Sequence, residues 1–171
     1  MQPSRDYDTR LAPLFDYLHR NPELSFMEVK TAARMAKELR EAGFEVTEGV
    51  GKTGVVAILK NGASPTVMMR ADMDGLPVEE KSGLPNASRV IQKDMSGRDV
   101  PVAHACGHDV HMTTLVGTAH QMAAMKGQWK GTLMLIGQPS RGTWGARDMM
   151  ADQIWKRFGK PDYALAMHVF A

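Results

Sequence analysis

The chain has 171 residues, 43% hydrophobic and 23% charged, with a net charge of +2. That length supports one domain with a substantial core and is short for two. With a near-neutral balance and no Lys or Arg run longer than two, nothing suggests a basic stripe for nucleic acid or a membrane surface, and a single cysteine excludes an internal disulfide framework.

Residues 1–10 are polar and carry both signs of charge, without the apolar stretch of a signal peptide. No apolar run approaches the roughly 20 residues of a spanning helix. The expected location is the cytoplasm, with neither nucleic acid nor membrane as a partner. The 14 methionines read as adaptable core filler.

Residues 6–19 place Leu11, Leu14, Phe15 and Leu18 at helical spacing, and Asn21-Pro22 stops the helix. Ser25 with Glu28 forms a capping-box pattern ahead of a helical face of Val29, Ala32, Ala33, Ala36 and Leu39. Gly43 supplies its left-handed stop. Strands are expected over 44–47, 55–59 and 66–69. Residues 81–99 read as a loop or small hairpin. A helical stripe of Met112, Leu115, Val116, Ala119, Met122 and Ala123 follows, then a strand over 132–136, a short helix over 145–151 and a strand over 163–169. Alternating helices and apolar strands predict an α/β layered domain with helices on the faces of a mixed or parallel sheet. In such sheets, sites gather at strand ends.

Three polar clusters fall at such positions. The densest is His104-Ala-Cys106-Gly-His108-Asp109-Val-His111. Thiolate and imidazole suit zinc and similar metals. In an extended segment Cys106 and His108 share a side, so both could hold one ion or a close pair. Asp109 and His111 are placed to orient such ligands. The alternatives are a polar loop capping a helix with Asp109, or Cys106 as a nucleophile beside a histidine. Cysteine and histidine two residues apart suit shared ligation better than attack. The second cluster, Arg70-Ala-Asp72-Met-Asp74-Gly-Leu-Pro77, pairs two carboxylates at a strand end. They could orient a ligand or move a proton, or simply form a solvated turn. The third is His168, in an apolar strand, where a lone histidine is ordinarily a packed core residue.

Taken together and in order, these motifs resemble the M20 metallopeptidase clan in its amidohydrolase branch. That branch holds hippurate hydrolase, N-acyl-amino-acid amidohydrolases and indoleacetyl-amino-acid hydrolases. The match runs through His19-Arg-Asn-Pro22-Glu23-Leu24-Ser25 with Glu28, the Arg70 to Glu79 carboxylate motif, Gly83-Leu-Pro85, the His104 to His111 motif, Gln138-Pro139, Gly145-Ala146-Arg147 and Asp162 to Val169. The resemblance implies a site of two divalent ions (Zn, Mn, Co or Ni) that activates water and polarises an amide carbonyl. Its implied ligands are Cys106, His108, a glutamate, His168 and a later histidine, with Asp74 orienting a ligand beside the metals. The implied substrates are N-acyl amino acids or small peptides. The implied organisation places residues 1–171 in the N-terminal part of a catalytic domain. A lid domain, through which members are often homo-oligomeric, and the C-terminal part lie outside it.

The sequence departs from the family at one motif. Where the pattern reads Gln-Pro-Ala-Glu-Glu, supplying a general base and a metal ligand, this chain reads Gln138-Pro139-Ser140-Arg141-Gly142-Thr143-Trp144. No glutamate lies between Gln138 and Asp148. The expectation is therefore an impaired hydrolase. The alternative is a non-catalytic relic or fragment of the same fold.

Overall fold

A computed structural model describes residues 7–140 and 143–169. Arg141 and Gly142 of the departing motif fall outside the described residues. After a wide π-type turn, Tyr7–Leu11, come helices α1 (Ala12–Arg20) and α2 (Val29–Glu41), then strands β1 (Glu45–Val50), β2 (Gly54–Lys60) and β3 (Thr66–Asp72). A small hairpin, β4 (Ile91–Lys93) and β5 (Asp99–Pro101), precedes helix α3 (His108–Ala124). Strand β6 (Thr132–Gln138), helices α4 (Thr143–Ala151) and α5 (Ile154–Phe158), and strand β7 (Tyr163–Ala166) complete the described chain.

The main sheet has the order β1-β2-β6-β3-β7. β2 pairs antiparallel with β1 and β6, whereas β3 runs parallel to both β6 and β7, so the sheet is mixed. Its central strand β6 is an unbroken apolar run because both faces are covered. Leu133 and Leu135 join the core under α1, α2 and α3. Met134 and Ile136 face Met149 and Ile154 of α4 and α5. Leu14, Met35, Met112 and Leu115 are fully buried in the larger core. Each such side chain contributes about 1.5 to 3 kcal/mol of burial. Among the described residues no helix is long and apolar enough to cross a membrane.

Helix α2 buries Ala32, Met35, Ala36 and Leu39, while Val29 is exposed. The capping box is not formed. Ser25 donates instead to the Asp74 carboxylate, and Glu28 turns into the interior. Glu23 caps the helix in their place, accepting the main-chain N–H groups of Lys30 and Thr31 at 3.2 and 2.8 Å. Gly43 ends α2 at φ +88°, as its sequence position predicts.

The last strand differs from expectation. β7 stops at Ala166, and all four of its residues are exposed. Among the described residues it is an edge strand, paired with β3. The strand expected over 163–169 is therefore shorter, and His168 lies beyond its end.

Candidate metal centre

The parallel strands β3 and β7 end on the same side of the sheet. Helix α3 packs against β3 and begins with His108 at that end. This brings three chain segments together: Asp72 at the end of β3, His108 and His111 one turn apart on α3, and His168 after β7. One donor atom from each of these four lies within 4.8 Å of all the others. Asp72, His108 and His111 are buried, and His168 is on the exposed rim.

The hydrogen bonds select which ring nitrogens can act as donors. His108 Nδ1 donates to the main-chain oxygen of Asp74 at 2.7 Å, with Asp74 Oδ1 at 3.1 Å. Its Nε2 is buried without a hydrogen-bond partner, 3.5 Å from Asp72 Oδ2. His168 Nδ1 donates to the main-chain oxygen of Val169 at 2.7 Å, which leaves the lone pair on Nε2. Both histidines thus have the bonding that orients a metal ligand, with Nδ1–H held by a carbonyl. The orphaned Nε2 of His108 opposite a carboxylate fits a divalent cation.

Asp72 is itself held in place. Its other oxygen pairs with Arg70, whose Nε donates to Gln138 Oε1 at 2.9 Å. Gln138 Nε2 in turn donates to the Ser140 oxygen at 3.0 Å. Burial disfavours the His108 cation, but the Asp74 hydrogen bond and the charges of Asp72 and Asp74 outweigh it and hold its pKa above the usual imidazole value. Burial lowers the His111 pKa, and the charges that His108 and His168 carry when protonated lower it further. Burial pushes His104 down to about 4, and neither of its ring nitrogens has a hydrogen-bond partner.

Of the residues singled out in the sequence, His108 and His168 meet, with ring centroids 5.6 Å apart. Asp74 lies against the far edge of His108. Cys106 is partly exposed in the turn before α3 and stands outside the four-residue group. Asp109 turns away from the group, accepting from His19 Nδ1 at 2.7 Å. Two features were not read from the sequence. Asp72 is the carboxylate that faces His108 Nε2, whereas spacing alone treated Asp72 and Asp74 alike. Glu28, fully buried, accepts from Thr53 Oγ1 at 2.5 Å and from the Ser140 N–H at 2.8 Å, so it supports the segment that follows Gln138. Burial raises its pKa, against the hydrogen bonds of Thr53 and Ser140.

The sequence pattern of peptidase family M20/M25/M40 matches residues 68–171. The chain is 41% identical over 153 residues to the hippurate hydrolase of Campylobacter jejuni, covering 88% of this chain and 37% of that protein. It is 38% identical over 136 residues to the N-acetylcysteine deacetylase of Bacillus subtilis, covering 78% and 33%. Among solved structures it is similar to the Bacillus subtilis YXEP protein, described as a dinuclear metal binding peptidase from M20 family. There the TM-score is 0.83 at 33% identity, over 97% of this chain and 44% of that one. The chain therefore spans less than half the length of these relatives.

Proposed function

Because this chain belongs to peptidase family M20/M25/M40, we propose that it carries the metal-holding part of a hydrolase site for amide bonds in N-acyl amino acids or small peptides. Residues 1–171 would form the N-terminal part of the catalytic domain, and the further length of its relatives would supply the lid and dimerisation domain. The observation that carries this reading is the shared orientation of His108 and His168. Each has Nδ1–H bonded to a carbonyl; His108 Nε2 faces Asp72, and a ring nitrogen of His168 lies within 4.8 Å of a donor atom on each of those two residues.

On this reading Asp72, His108 and His168 hold one divalent ion such as zinc or manganese. Cys106, two residues ahead of His108, is the candidate ligand toward a second. A bound ion would supply a Lewis acid for an amide carbonyl and lower the pKa of water. The protein's own part is positional and electrostatic. Asp74 fixes the His108 ring, and Asp72 supplies negative charge. Arg70, held by Gln138, keeps the Asp72 carboxylate from turning away. What this chain lacks is a carboxylate after Gln138 to take a proton from water and pass it to the leaving amine. General acid–base help of that kind is worth about 10² to 10⁴ in rate.

The test is release of free amino acid from hippurate and N-acetyl amino acids with added zinc, manganese or cobalt. The reading predicts background release from the 171-residue chain. It predicts turnover from the same chain restored by S140A/R141E/G142E and extended through the remaining length of its relatives. Turnover by the original chain within about tenfold of that control would remove the role assigned to the absent base.

A further inference from the structure

A neutral imidazole carries one N–H and one lone pair. In His108 and His168 the N–H sits on Nδ1 and the lone pair on Nε2. His111 is bonded the other way round. The main-chain N–H of Val169 donates to His111 Nε2 at 3.0 Å. A main-chain N–H cannot accept, so Nε2 must hold the lone pair, and in the neutral ring the proton is on Nδ1. That nitrogen is buried without a hydrogen-bond partner. With one nitrogen occupied by Val169 and the other protonated, the ring has no lone pair left for a metal.

We propose that His111, although it lies within the four-residue group, is a positioning residue for His168 and not a ligand. Val169 is held on both sides of its main chain: His111 accepts its N–H, and its carbonyl accepts from His168 Nδ1. The ring of His111 also lies against that of His168, with centroids 4.8 Å apart at 65°. A second contact docks the same residue. Gly107, at φ +71°, has no Cβ where Val169 Cγ2 approaches; a Cβ there would lie at 2.5 Å. The segment after β7 is thereby pinned to the first turn of α3, and His168, on the exposed rim, is aimed at His108. The consequence for metal binding rests on the metal-centre reading above; the bonding of the His111 ring does not.

The experiment is long-range proton–nitrogen NMR of the imidazole-15N-labelled chain, above the imidazole pKa range, without and with zinc. His111 is expected to show the Nδ1–H form in both states, while Nε2 of His108 and of His168 shifts on zinc addition. A His111 nitrogen that takes the shift of a metal-bound nitrogen, or an Nε2–H form in the metal-free chain, overturns the proposal. If zinc leaves every ring unshifted, the metal-centre reading fails, and the metal-free spectrum still decides the bonding of His111. In parallel, H111A is expected to weaken zinc binding about tenfold, within the range for groups that orient ligands. H111A/H168A should bind no more weakly than H168A. H111Q, whose amide oxygen can accept the Val169 N–H, should recover part of the loss. Additive losses in the double variant would show that His111 acts independently of His168 and overturn the assignment.

Discussion

The Nδ1–H of His108 is bonded to the main-chain oxygen of Asp74 at 2.7 Å, which turns the opposite nitrogen toward Asp72. The two carboxylates of this strand end therefore do different work on one ring. Asp72 faces the donor nitrogen, while Asp74 sits behind it and is shared with Ser25.

Their substitutions should separate accordingly. D72N removes the negative charge opposite His108 Nε2 and should weaken zinc binding by about 100-fold or more. D74N keeps the main-chain acceptor and should cost about tenfold, the lower end of the range for groups behind a ligand. Competition with a chromogenic zinc chelator measures both. The reverse order would mean that Asp74, not Asp72, is the carboxylate that matters to the ion.

Glu28 should be a stability residue. E28A leaves the Thr53 hydroxyl and the buried Ser140 N–H without their acceptor. Each such orphaned group costs about 1 to 3 kcal/mol, so E28A should lose roughly 2 to 6 kcal/mol in urea unfolding. E28Q keeps an acceptor oxygen and should lose less. Equal stability of E28A and the parent chain would contradict the network.

His19 should make stability depend on pH. Both of its ring nitrogens donate to carboxylates, to Asp109 at 2.7 Å and Glu80 at 3.2 Å, which requires the protonated ring. Burial opposes the cation, but the Asp109 hydrogen bond and the charges of Asp109 and Glu80 outweigh it and raise the pKa above 6.5. A raised pKa gives stabilisation that is fully present below the unfolded value and is lost as pH rises through the folded one. The urea midpoint gap between the parent chain and H19Q should therefore be larger at about pH 6 than at about pH 9. A gap independent of pH would show that the ring is not held as a cation.

Much of the fold was legible because its signals are local. The continuous apolar run of β6 and the helical stripe around Met112 and Leu115 hold up because each is buried where its period says it should be. The misreadings share a cause. Ser25 and Glu28 fit a local capping pattern, but tertiary partners, Asp74 and Thr53, claimed both side chains. The 163–169 run is mostly apolar, yet the strand stops at Ala166, where its pairing with β3 ends, and apolar character alone does not mark that end. At the site, residue type and spacing pointed to Cys106 and His108, and the family resemblance added His168. The contrast between Asp72 and Asp74, and the Val169 N–H that His111 accepts, depend on which nitrogen meets which backbone atom, and residue spacing does not carry that information.

The measurement that bears most directly on the central claim is calorimetric titration of the metal-free chain with zinc, beside H108A and H168A. The account predicts one saturable equivalent per chain, abolished in H108A and strongly weakened in H168A. Absence of saturable binding, or binding unchanged in H108A, would contradict the assignment of Asp72, His108 and His168 as a metal centre.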